Sequence, residues 1–221
     1  LGFHNGSFDA FDVGGTASTG VELIAETGIA STPGTAGTPI EGTTGVAQER
    51  LAADPNSFGA VIASQSGPPP IQPGESESIL VDIDNALSSG LFLTYLSMVL
   101  PSNDHFIGND DALRLFSDTG VYLGDQVINV TGAQIYDAGT EANGLEGSAF
   151  VAGENIFLSP AGEGTIQGGV GLSDELLGVP LASGDVFSSS VIDFTTNPAD
   201  FDLLTIRIEQ INDVAPVPLP A

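Results

Sequence analysis

The chain contains no cysteine, no tryptophan and no lysine, and its basic residues are three arginines, Arg50, Arg114 and Arg207. Without cysteine there is no disulfide, no thiol nucleophile, no iron–sulfur cluster and no thiolate zinc site. The lack of disulfides does not exclude export, because a chain of this length can build a core large enough to do without them. With so few cations, a row of phosphates cannot be neutralised, which excludes nucleic-acid binding. Docking on anionic lipid by charge alone fails for the same reason. Two histidines, His4 and His105, are too few for a histidine-rich metal centre. With no tryptophan and three tyrosines, the aromatic platform that stacks on sugars is missing. No stretch is long and apolar enough to span a membrane.

The acidic count is ordinary, at 29 Asp+Glu in 221 residues, so the net charge of -26 arises from missing cations. Divalent cations are the natural counterions of such a chain, and self-repulsion is strong without them. A hydrophobic content of 41% marks a globular chain, not a disordered one. The 29 Gly and 14 Pro, spread among Ser, Thr and short apolar runs, predict an all-β fold. The expected architecture is an antiparallel β-sandwich with two short helices. Strands are expected over 58–64, 78–84, 91–100, 112–116, 121–123, 126–136, 155–158, 186–194 and 203–211. Ile79, Val81 and Ile83 alternate with polar neighbours, the pattern of a half-buried strand. Residues 91–100 are apolar on both faces, which predicts a central strand. Ser117-Asp118-Thr119-Gly120 is a hairpin turn signal. Thr19-Gly20-Val21-Glu22 has capping-box spacing, with Gly28 as the helix stop. A second helix is expected over 46–53, ended by Asp54-Pro55. The Gly/Thr/Pro-rich segment 31–44 reads as an exposed loop, and 66–74, with its proline run, as a stiff connector.

Two acidic motifs carry the chemistry. Pro101-Ser102-Asn103-Asp104 follows the apolar run 96–100, and Tyr136-Asp137-Ala138-Gly139-Thr140-Glu141 closes a later strand. Both place carboxylates in turns at strand ends, and loops at one end of a sandwich can converge. Oxygen ligands meeting there suit a hard cation such as calcium, which takes ~6–8 oxygens. Asn103, Asp110 and Asp111 could add ligands or merely solvate the loop. The plainer reading of every one of these acids is turn formation through local backbone hydrogen bonds. Asp104 beside His105 raises the alternative of a metal-dependent hydrolase. No Gly-x-Ser-x-Gly motif accompanies them, and neighbours in a strand point to opposite faces. His4 with Asp9 and Asp12 reads as an N-terminal turn before it reads as a metal fragment. Asp82 and Asp84 fit a solvated strand face. A polysaccharide-binding module is the remaining alternative. Asn5-Gly6-Ser7 and Asn129-Val130-Thr131 match the glycosylation sequon without further support.

The order of several segments resembles bacterial spondin-domain proteins. These are His4-Asn5-Gly6, the glycine-bounded stretch 20–28, Pro73-Gly74-Glu75, Ser97-Met98 with Pro101-Ser102-Asn103-Asp104, and Tyr136-Asp137-Ala138-Gly139-Thr140-Glu141. The resemblance covers roughly residues 1–150 and, more loosely, the rest. It implies an antiparallel β-sandwich with calcium bound at one end, held by Asp104, Asp137 and Glu141. Glu141 stands where the animal pattern has Asp, an oxygen ligand with longer reach. Animal relatives serve extracellular-matrix adhesion. Family members carry a further strand before the Gly-Phe-His segment, so an open sheet edge is expected here, fillable by a strand from a second copy. The end Val217-Pro218-Leu219-Pro220-Ala221 resembles the start of a PEP-CTERM/VPLPA sorting signal, which reads as a processed end, and the first residue is not Met, which reads as a processed or truncated start.

These readings define a spondin-like domain over 1–212 and a Pro-rich tail over 213–221. The expected function is that of a secreted, calcium-binding structural or adhesion protein, not an enzyme. Its expected place is the surface or matrix of a Gram-negative bacterium, with further copies of itself or matrix components as partners, and filaments formed by strand exchange.

Overall fold

The computed structural model describes residues 1–6, 9–28, 58–59, 61–62, 71, 74–83, 90–148, 151–154, 161–162, 164–168, 178–180, 184, 186 and 198–211. The expected helix over 46–53, the strand over 155–158, the loop over 31–44 and the tail lie outside them. Most of the connector over 66–74 and of the strand over 186–194 does too.

The fold is all-β, with antiparallel sheets and, among the described residues, one α-helix, as the composition implied. The elements run β1 (Gly2–His4), α1 (Thr19–Thr27), β2 (Phe58–Gly59), β3 (Phe92–Thr94), β4 (Leu96–Met98), β5 (His105–Gly108) and β6 (Leu113–Arg114). β7 (Gln126–Thr131), β8 (Ile135–Asp137), β9 (Gln167–Gly168) and β10 (Asp202–Ile208) follow. They form a sheet in the order β2-β1-β3-β6, a second in the order β4-β5-β8-β9, and a β10-β7 pair.

The apolar segment 91–100 is not one strand. It breaks at Tyr95, so that β3 lies inside the first sheet and β4 on the edge of the second. Asn109 holds the corner: its Oδ1 accepts the Tyr95 N–H at 2.7 Å, and its Nδ2 donates to the Leu93 carbonyl at 2.9 Å. A segment that changes sheets is packed on both sides, which explains its double-faced apolar pattern. The expected strand over 126–136 is also divided, by a 3₁₀ turn over Gly132–Gln134. There the Gln134 side chain accepts the Thr131 N–H at 2.7 Å, and β8 then starts in a different sheet from β7. The expected strand over 78–84 forms no ladder across its described residues, although Val81 and Ile83 do pack on the core with Asp82 exposed. Its alternation reports a buried side, not hydrogen bonding to a neighbour.

Ser18 caps α1 by accepting the Val21 N–H at 3.3 Å, one residue before the expected box, and Gly28 closes it in the left-handed region at φ 63°. The hairpin turn forms as expected, Gly120 N–H donating to the Ser117 carbonyl at 2.9 Å beside the Phe116–Tyr122 bridge. β1 pairs with β3 on one side and β2 on the other, so the open edge expected at the first segment is not found there.

Alternation along β5 builds the layers. Phe106 packs with Val21, Ile24 and Ala25 of α1, together with Phe11 and Ile166. Ile107 faces the other way, against Tyr95, Val130 and Ile135. The second sheet is therefore covered by the helix on one face and by β7 and β10 on the other, a sandwich-like arrangement. Phe3, Leu91, Leu93 and Leu115 make the third cluster, joined to the second through Ile128.

Tyr95 is buried at this junction, and its hydroxyl has no hydrogen-bond partner among the described residues. Burial pushes its pKa from 10.0 up to about 12. The unfolded chain loses this proton first, so stability is intact below pH 10.0 and falls as pH rises through about 12. Tyr95→Phe removes the unsatisfied hydroxyl. It is expected to raise stability by about 1 kcal/mol at neutral pH and to flatten the alkaline loss, both read from urea midpoints across pH.

Candidate metal centre

β5 and β8 lie side by side with His105 opposite Asp137, and the two acidic motifs sit where these strands meet their loops. The sequence-predicted residues are thus brought to one end of one sheet. All three are buried, Asp104 at 0%, Asp137 at 1% and Glu141 at 2% exposure.

Asp104 organises the loop that follows β8. Its Oδ2 accepts the N–H of Thr140 and of Glu141, each at 3.0 Å, and lies 3.4 Å from the Thr140 hydroxyl. Its carbonyl accepts the Ala138 N–H at 3.1 Å. Its Oδ1 has no hydrogen-bond partner among the described residues; His105 Nδ1 stands 3.6 Å away, beyond hydrogen-bond length. Asp137 is satisfied differently. Its Oδ1 accepts the Gly139 N–H at 2.6 Å and its Oδ2 the Asn143 amide at 3.0 Å. Burial, then the Asp104 charge, hold the Asp137 carboxyl above the usual carboxylate range, against these hydrogen bonds and the nearby His105.

Asn103 ties the two loops together, donating to the Ala142 carbonyl at 2.8 Å. Asp110 and Asp111 stand near Asp9 instead, whose carboxyl is raised by burial and then by Asp12, Asp110 and Asp111. His4 is a core residue: its Nδ1 accepts the Gly6 N–H at 3.2 Å, so Nε2 carries the proton toward the Thr94 hydroxyl at 2.8 Å.

Asp104 and His105 do not point cleanly to opposite faces as a strand would dictate, because β5 begins only at His105 and Asp104 belongs to the turn. Their nearest side-chain atoms approach without hydrogen-bonding. The Ser102 hydroxyl is committed to the turn, donating to the Val99 carbonyl at 2.5 Å and accepting the His105 N–H at 3.2 Å.

Glu26 is a residue that sequence reasoning missed. It lies in the last turn of α1, with Oε1 shut off from water and without a hydrogen-bond partner. Its carboxyl is raised by burial and by the charges of Glu22 and Asp104, against a hydrogen bond with Thr140. Its one sequence signal is weak: an acid in a C-terminal turn opposes the helix dipole.

The donor set is all oxygen and acidic, and Asp104 presents a buried oxygen that lacks a partner, as a hard cation requires. In the geometry present, no three acidic or histidine side chains among the described residues surround a common point closely enough to hold a metal. Nor is any helix among those residues long and apolar enough to cross a membrane. Neither the protein-family models nor the curated proteins contain a match to this chain.

Gly139 shapes the loop that Asp104 holds. It has φ 66°, where glycine alone is at ease, and a Cβ there would collide with the Thr165 backbone. Gly139→Ala is expected to cost about 2 kcal/mol or more, through strain and overlap together. Gly14→Ala is the comparison, with φ 87° but open space around it, and isolates the strain alone. Urea midpoints of the two variants check this.

Proposed function

We propose that this chain is a calcium-stabilised structural module of the spondin type, secreted to the bacterial cell surface or matrix and serving adhesion there. One observation carries the calcium reading: the fully buried Asp104 leaves an oxygen without a hydrogen bond, 3.6 Å from His105 Nδ1, while the buried Asp137 carboxylate stands close by. Burying a carboxylate without a compensating charge costs several kcal/mol. A calcium ion supplies two positive charges and tolerates irregular oxygen geometry. Asp104 would hold it through Oδ1, keeping Oδ2 on the loop N–H groups, while Asp137 and Glu141 contribute from the adjoining strand end and loop. The Glu141 side chain, with more rotatable bonds than Asp, can close on an ion by a rotamer change.

The wider setting is supported by the order of the two acidic motifs, by the tail resembling a sorting signal and by the near absence of basic residues. Because β1 is flanked on both sides, self-association by strand exchange would use another sheet edge, such as β4 or β6.

Calcium titration of the purified protein tests the site. At a hundredfold excess over Kd, binding to the folded state is worth about 2.7 kcal/mol. That corresponds to a Tm rise of roughly 5–10 °C for a chain of this size. Asp104→Ala is expected to abolish the rise and the calorimetric binding signal. A Tm indifferent to calcium in the unsubstituted protein overturns the reading.

A further inference from the structure

The chain holds two Asn-Gly pairs, Asn5-Gly6 and Asn143-Gly144. An Asn-Gly pair is the amide sequence most open to attack by its own backbone. Glycine has no side chain to shield its nitrogen, and its conformational freedom lets that nitrogen reach the asparagine carboxamide. By sequence the two pairs are alike; the fold separates them. The Gly6 N–H donates to Nδ1 of the buried His4 at 3.2 Å, and the Phe92 ring packs against Gly6. That nitrogen is engaged and covered. The Gly144 N–H has no hydrogen-bond partner among the described residues. The Gly144 carbonyl accepts the Ser148 hydroxyl at 3.2 Å, so the residue is held by its oxygen and leaves its nitrogen available. Asn143 itself is exposed, where water can reach it.

The carboxamide open to attack also has a structural task. Its Nδ2 donates to Oδ2 of the buried Asp137 at 3.0 Å, and the preceding carbonyl, that of Ala142, accepts the Asn103 amide at 2.8 Å. Residues 142 and 143 thus fasten this loop to both acidic motifs. A carboxylate in place of the amide has no proton to donate. Asp137 Oδ2 would lose that donor and face a second negative charge, in a place where the Asp104 charge already acts on it.

We propose that Asn143 is a self-modification site, at which the chain converts its own asparagine to aspartate and isoaspartate and so loosens this loop from Asp137. The Gly144 nitrogen attacks Asn143 Cγ. A bond forms between them, the Cγ–Nδ2 bond breaks, and Nδ2 leaves as ammonia with the proton that the Gly144 nitrogen gives up. Water then opens the cyclic imide. Breaking the new bond to Cγ gives aspartate; breaking the bond between the Gly144 nitrogen and the Asn143 backbone carbonyl carbon gives isoaspartate. The sum is one water consumed and one ammonia released, with no oxidant, metal or second protein. Each event adds a negative charge to a chain with three basic residues. The step is independent of the calcium reading.

Timed incubation of the purified protein in mildly alkaline buffer tests it, once folded and once in urea, with peptide mass mapping and isoaspartyl methyltransferase labelling of each sample. In the folded protein, conversion at Asn143 is expected to outpace that at Asn5 many-fold. In urea the two pairs are expected to convert at similar rates, because only the fold distinguishes them. Asn143→Gln keeps the amide but demands a larger ring, and is expected to stop conversion at that position. The urea midpoint of the aged protein is expected to fall, and freshly prepared Asn143→Asp to show the same fall without ageing. Folded protein in which Asn143 stays intact, or converts no faster than Asn5, overturns the site. An Asn143→Asp variant with an unshifted urea midpoint overturns the loosening of the loop.

Discussion

Asp104 Oδ2 is the atom on which this end of the molecule depends. By accepting two N–H groups from the loop after β8, it fixes that loop against the strand end before β5, across 36 and 37 positions of chain. Hydrogen bonds to an ionised acceptor are stronger than neutral ones. They justify burying half of the carboxylate. The other half is the difficulty, since Oδ1 has left water and gained no hydrogen bond. The same side chain thus organises the loop and buries a charged oxygen beneath it, with His105 Nδ1 3.6 Å away. Asn103 and Ser102 add rigidity around it but no positive charge. Whatever stabilises Asp104 Oδ1 therefore also stabilises the junction of β5 and β8.

The sequence made some of this legible and hid the rest for physical reasons. The two acidic motifs could be placed at strand ends because turn residues followed apolar runs, and both do lie beside β5 and β8. Helix α1 was legible from its ends, to within one residue at the Thr19 capping-box spacing and at Gly28 after it. The break at Tyr95 was not, because alternation records which side is buried and says nothing about which sheet a strand joins. The fold-back is imposed by Asn109, a residue without a distinctive pattern of its own. The segment ending at Ile83 shows the converse, with core-facing residues but no ladder. The interruption after Thr131 did carry a signal, Thr131 spaced from Gln134 as in a capping box, within a segment whose apolar run reads as one strand. Glu26 was out of reach. Its burial depends on how α1 lies across the second sheet, which is decided by Phe106 and its neighbours, far along the chain.

Why a cation should matter at Asp104, and not wherever acids are dense, follows from burial. Asp9, Asp12, Asp110 and Asp111 form an equally acidic group, and their charges act on one another. Three of them are exposed, however, and Asp110 is half-buried. Water and salt screen exposed charges within about 10 Å at ordinary ionic strength, so that group costs little and gains little from an ion. At Asp104 solvent is absent, so neighbouring charges, those of Asp137 and of His105 at 3.6 Å among them, are screened less than at the surface. The chain's shortage of cations is spread over its whole surface, but its energetic weight falls where carboxylates have been drawn inside. That is the end of the sheet where β5 and β8 meet their loops. The acidic composition and the buried carboxylates therefore pose one problem: a chain with three basic residues has little positive charge of its own to set against its acids, and the want is greatest at its most buried acid.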